Sequence, residues 1–139
     1  MLRMRTLPRR FLFLALGSFI CLLPACSSLE GSRSGTAVEH IVFVWLKRPG
    51  NEGDRERLVA EAHRLDAEIR ELRGVRSGVP VPSSRPMVDD TFDVAFLMRF
   101  DSTADLAAYE KNARHAAAVR DLLQPLSRRV VVYDVAVRR

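Results

Sequence analysis

The side chains of this 139-residue chain best suited to moving a proton near neutral pH are its three histidines, His40, His63 and His115. Two of them stand where a pocket could use them. His40 lies in a run of β-branched and aromatic residues, and His115 follows Tyr109 by six positions in a stretch of helical character. An imidazole within hydrogen-bond reach of a substrate can take its proton, and a tyrosine hydroxyl can steady a forming enolate or return a proton. His40, Tyr109 and His115 are therefore the candidate catalytic residues, for proton transfer. Six residues turn about 600° around an ideal helix, so Tyr109 and His115 share a site only if the helix breaks near Asn112. Asp93 and Asp134 lie in strand-like segments, and either would orient an imidazole if it faced inward. Packing is the competing reading: a strand histidine among apolar neighbours is commonly a core residue, a helix tyrosine commonly packs, and His115 could merely cap the break. His63 lies beside an apolar stripe and is expected in solvent.

Other chemistries lack their residues. The histidines show no HxxxH spacing or carboxylate clustering that would ligate a metal. Gly74 and Gly78 read as a turn and a strand rather than a phosphate loop, and no G-x-S-x-G elbow occurs. Two cysteines are too few for a disulfide-stapled scaffold or a four-cysteine metal site.

The elements that must position these residues follow from periodicity. Val38 to Lys47 is dense in β-branched and aromatic residues and predicts a strand buried on both faces. Within it Trp45 alternates with Ile41 and Phe43, which places it in the core or at a dimer interface. From Asp54 to Arg73, Leu58, Ala62, Leu65, Ile69 and Leu72 recur at helical spacing. Arg57/Glu61, Arg64/Glu68 and Asp66/Arg70 offer i, i+4 ion pairs on its wet side, and Gly74 reads as its C′ residue. Val75 to Val81 predicts an edge strand. Phe92 to Phe100 predicts another, with Phe92, Val94, Phe96, Met98 and Phe100 on one face. Asp101-Ser102-Thr103 offers caps to a helix carrying Leu106 and Tyr109, interrupted between Asn112 and His115 and closed by Pro125. Val130 to Val137 is the last strand. The order β-α-β-β-α-β predicts a ferredoxin-like α+β sandwich. Apolar residues on both strand faces leave one sheet face to be covered, for which a second copy in a face-to-face dimer is favoured over a loop.

The net charge of +5 belongs mostly to one end of the chain. Arg3, Arg5, Arg9 and Arg10 precede the uncharged stretch Phe11 to Pro24, the pattern of a secretory signal and too short for a membrane span. Leu23-Pro24-Ala25-Cys26 resembles a bacterial lipobox, which implies acylation of Cys26. Ser27 after it implies an outer-membrane address facing the periplasm; the alternative is an ordinary cleaved signal and a soluble exported protein. Loss of residues 1–25 removes four arginines and no acid, and leaves 18 basic against 17 acidic side chains. A near-neutral chain has no basic face for nucleic acid. Residues 26–36 read as a Ser/Gly-rich tether and residues 37–139 as one domain.

Several segments match a known pattern in order and spacing. Val38-Glu39-His40-Ile41-Val42-Phe43, Leu72-Arg73-Gly74-Val75, Phe92-Asp93-Val94-Ala95, Phe100-Asp101-Ser102, Leu106-Ala107-Ala108-Tyr109 with His115, and Val132-Tyr133-Asp134 together resemble the stress-responsive dimeric α/β-barrel family over about residues 38–136. The resemblance implies a ferredoxin-like fold that dimerises into an α/β barrel. A plant member closes a polyketide chain by an aldol reaction with His and Tyr in a cavity and no metal. On that pattern His40, Tyr109 and His115 occupy the first-strand, second-helix and helix-end positions. The expectation is an exported, lipid-anchored dimer that binds a small apolar molecule between helix and sheet. The alternatives are a cofactor-free cyclase- or isomerase-like enzyme and a non-catalytic structural lipoprotein.

Overall fold

The protein is described by a computed structural model over residues 36–137. The expected signal peptide, the lipobox with Cys26 and nearly all of the tether lie outside those residues. Within them the elements run β1 (Ala37–Leu46), α1 (Glu52–Glu68), β2 (Leu72–Gly78), β3 (Val94–Phe100), α2 (Thr103–Glu110), α3 (Ala113–Ala118), a π-helical turn (Val119–Leu123), α4 (Gln124–Leu126) and β4 (Ser127–Val137). The strands form one antiparallel sheet in the order β2-β3-β1-β4. This is the ferredoxin-like α+β sandwich, with its second helix in pieces. No helix among the described residues is long and apolar enough to cross a membrane.

Strand alternation decides which residues meet the helices. On β1, Val38, His40, Val42 and Val44 face them, opposite Phe100, Met98, Phe96 and Val94 of β3. These residues are buried, and Leu58, Ala62 and Leu65 of α1 join them in the core. The other face differs from the expectation of a strand buried twice over. Ile41, Phe43 and Leu97 are only half-buried there, and Tyr133 and Val135 of β4 are exposed.

The first helix stops at Glu68, five residues before the expected end. Ile69 is already extended, with φ −110° and ψ 107°, and its N–H closes onto the Leu65 carbonyl. Leu72 continues the apolar spacing but reaches the core from β2. Gly74 is therefore no helix cap. It sits at φ +129°, where the β2–β3 register shifts between Leu72 and Val75, a bulge that only glycine forms without strain. The strand ends at Gly78 rather than Val81. The expected i, i+4 pairs of α1 are replaced by Arg57–Asp54 and Arg64–Glu61 one turn earlier, while Glu68 pairs with Arg114 of α3.

The third strand begins at Val94, not Phe92. Asp93 turns its buried carboxylate to the N–H groups of Leu46 (2.7 Å) and Gly50 (2.5 Å), which fixes the exit of β1. That bend carries Phe92 to the open sheet face, where its ring meets Phe43 at 5.0 Å and Trp45 at 6.4 Å. Trp45 is buried on the same face. Its indole N–H donates to Thr91 Oγ1 at 2.9 Å, and the Arg129 guanidinium lies 4.3 Å over its ring. Pro125 does not end the second helical stretch; it lies in α4, directly after the π-helical turn.

Candidate functional site

A cavity of about 560 Å³ lies between the inner sheet face and the helices. Val42, Phe96 and Met98 form part of its sheet wall, and Leu58, Ala62 and Leu122 part of its helical wall. His40, Tyr109, His115 and Asp134 line it as well, so the structure brings the three candidate residues to one apolar space.

His40 is placed by register. It lies directly opposite Asp134 in the β1–β4 ladder, so both side chains stand on the inner face. His40 Nδ1 lies 2.6 Å from Asp134 Oδ1. An ionised carboxylate only accepts, so Nδ1 carries the proton and Nε2 of the neutral ring keeps its lone pair. Of the two carboxylates that could orient an imidazole, Asp134 does so and Asp93 does not. His63 is exposed on α1, as expected.

Tyr109 comes from α2, whose N-cap Ser102 accepts from the Asp105 N–H at 3.1 Å. Only 1% of Tyr109 is exposed. Its ring packs 5.1 Å from Phe100 and 6.2 Å from His40, and its hydroxyl donates to Met98 Sδ at 3.5 Å. Burial pushes the phenol well above its ordinary pKa. Tyr109 therefore stays protonated and can act on a ligand only as a neutral hydrogen-bond donor, and only by leaving a weak sulfur acceptor.

His115 reaches the site through the helix break. Asn112 is extended at φ −68° and ψ 127°, and its side chain accepts from the Arg114 N–H at 2.8 Å to start α3. The new axis brings the His115 ring to 4.3 Å from Tyr109. Burial lowers the pKa of His115, with a smaller contribution from His40, while the Glu110 carbonyl works against the shift. Its Nδ1 is buried and has no hydrogen-bond partner among the described residues. A buried, unpaired ring nitrogen beside a cavity is a group left open for a ligand or a water.

Glu61 was not legible as a site residue, because it reads as a solvent residue beside the stripe of α1. It lines the cavity, and its carboxylate accepts from Arg114 Nη1 at 2.5 Å and Arg64 Nε at 2.9 Å. Those bonds, Arg114 foremost, hold Glu61 below the usual carboxylate range. Among the described residues no three His, Cys, Asp or Glu side chains are grouped to hold a metal ion.

Known structures share this fold. A Dabb family protein with a ferredoxin-like fold from Mesorhizobium loti is 21% identical, with a TM-score of 0.60 over 74% of this chain and 98% of that one. The hydroxynitrile lyase of Passiflora edulis is 19% identical, with a TM-score of 0.65 over 74% and 94%. A dimeric ferredoxin-like protein of unknown function from Thermobifida fusca is 20% identical, with a TM-score of 0.60 over 75% and 93%. No curated protein matches the chain. The model of the stress responsive A/B barrel domain matches residues 38–137, all but one of the residues of the described fold after Thr36, and the chain belongs to that family.

Proposed function

We propose that this domain binds a small, largely apolar molecule in the cavity between helices and sheet. The observation that carries the reading is the space itself. About 560 Å³ of mostly apolar wall is the size and character of a small-molecule site, and its polar groups gather around His40, Tyr109 and His115. The test is titration of the full chain with a neutral apolar dye whose fluorescence rises out of water. Saturable binding that Ala62→Trp abolishes is expected, and no binding at all would sink the reading.

A second reading, proton-transfer catalysis, is favoured by the 2.6 Å His40–Asp134 pair. Asp134 fixes the tautomer, so His40 Nε2 is the base, Tyr109 a neutral donor to a developing oxyanion, and His115 a second imidazole kept neutral by burial. A hydroxynitrile lyase shares this fold, so the fold itself is compatible with catalysis at such a cavity. Turnover of any substrate that persists in His40→Ala and His115→Ala would remove these groups from the mechanism.

Two further proposals concern the whole protein. The open sheet face is covered by a second copy. In support, Ile41, Phe43, Leu97 and Tyr133 give it an apolar row, and dimeric proteins share the fold. The N-terminal residues 1–25 are an export signal, and Cys26 is acylated and anchors the domain to the bacterial membrane through the 26–36 tether. Mass spectrometry of the mature N-terminus tests this; an unmodified Cys26 would end it.

A further inference from the structure

The cavity does not end at its apolar wall. A second groove of about 330 Å³ runs between α1 and the α3–π-turn segment, and Glu61, Ala118 and Leu122 line both spaces. Its α1 side is a stripe at helical spacing, Arg57, Glu61 and Arg64, and Arg114 faces it from α3. The carboxylates around it are already committed. Asp54 gives both oxygens to Arg48, and Arg57 reaches it only at 3.9 Å. Asp121 gives both oxygens to Arg120. Glu61 is left as the one carboxylate of the groove shared by two guanidiniums, Arg64 and Arg114. Each guanidinium carries five donors, and Arg57, which reaches a carboxylate only at 3.9 Å, keeps the most of them uncommitted. Three guanidiniums against the two carboxylates Glu61 and Asp121 leave the outer groove with an excess of positive charge, and Arg57 and Arg64 are the more exposed of the three.

We propose that the ligand is an amphiphile with an anionic head, its apolar body in the inner cavity and its head held by Arg57 and Arg64 in the outer groove. The inference rests on the apolar-binding reading above and adds the charge of the ligand to it. A carboxylate suits the planar fork of a guanidinium, and the arginines of the groove raise the cost of a cationic head. Arg114 is bound to Glu61 and Glu68 and holds α3 to α1, so it positions the groove more than it receives the ligand.

The experiment is displacement of the neutral dye N-phenyl-1-naphthylamine from the full chain at pH 7.5 by three ten-carbon competitors: decanoate, decanol and decylamine. Decanoate is expected to displace at a concentration about tenfold below decanol, with decylamine weakest. Arg57→Ala with Arg64→Ala should remove most of that advantage and leave decanol unchanged, and added salt should weaken decanoate alone. Both arginines are exposed, so the variants keep the fold. Dye binding with decanol equal to decanoate, or with decylamine preferred, overturns the anionic head and leaves the apolar cavity standing. Absence of dye binding overturns both.

Discussion

At the scale of single residues, the site is a row of rings held by different partners. His40 is tied to an inner-face carboxylate across a strand pair, and His115 is buried against Tyr109 with one nitrogen unpaired. The tautomer of His40 is testable directly. Its Nδ1 proton is held in a 2.6 Å hydrogen bond, so proton NMR should show a downfield, slowly exchanging ring N–H that Asp134→Ala removes. His115 makes a prediction with a sign. Its folded pKa lies below the ordinary imidazole value of about 6.5. As pH falls through that value the unfolded chain takes up a proton that the folded chain refuses, so stability is lost as the solution is acidified, between the unfolded pKa and the lower folded one. Denaturant titrations at pH 7.5 and 5.5 should give a lower stability at 5.5, and His115→Leu should flatten the difference. A His115 ring titration midpoint above that of a free imidazole would refute the burial argument. These residues were legible in the sequence by type, but not their partners. Asp93 and Asp134 looked alike as strand carboxylates, and only strand register sends one to the imidazole and the other to the backbone of β1.

At the scale of elements, two short breaks set the geometry. The first is Asn112, which stops α2 and restarts the chain as α3. Without it Tyr109 and His115 would point away from each other on one continuous helix. Asn112→Ala is expected to cost about 1 kcal/mol of stability through the lost cap. It should also weaken dye binding, because the restart places His115; thermal denaturation and the dye titration check the two effects separately. The second is Gly74, whose φ of +129° has open space around a would-be Cβ. Gly74→Ala should therefore be penalised through the backbone alone, by roughly 1–3 kcal/mol, and a substitution without effect on the melting temperature would show that the bulge can relax. The order of elements was readable because strand runs and the helical stripe have different periods. The boundaries near residues 69–74 and 92–94 were not. Ile69 and Leu72 continue a helical spacing while serving a strand, and Phe92 continues a strand alternation that Asp93 breaks by bonding the β1 exit. The ion pairs of α1 depart from local spacing for a related reason. Local spacing favours i, i+4 partners, but Arg114, far away in sequence, takes Glu61 and Glu68.

At the scale of the whole molecule, the two faces of the sheet divide the labour. The inner face builds the cavity; the outer face carries an apolar row that runs from Leu97 through Ile41 to Tyr133 across three neighbouring strands and is not fully covered. Such a patch on a domain of this size is expected to be an interface, and a sheet face that pairs with its own copy closes by twofold symmetry. Ile41 lies at the middle of that row and only half-buried, so a charge there would be tolerated by a monomer and not by a dimer, where it would meet its own symmetry mate or a desolvated apolar surface. Ile41→Arg should therefore shift the full chain from dimer to monomer in sedimentation at micromolar concentration, with the far-ultraviolet spectrum of the fold retained. Val81→Arg, at an exposed loop position away from the sheet, is the control and should leave the dimer intact. The same pair of variants separates the interface from the cavity. His40 and Ile41 are adjacent on β1 but point to opposite faces, so a monomeric Ile41→Arg that still binds the apolar dye would show that each protomer carries a complete site. Loss of the site together with the dimer would mean that the second copy stiffens β1 and β4 enough to hold His40 against Asp134. A dimer unaffected by Ile41→Arg would place the interface elsewhere and leave the open face to a different partner.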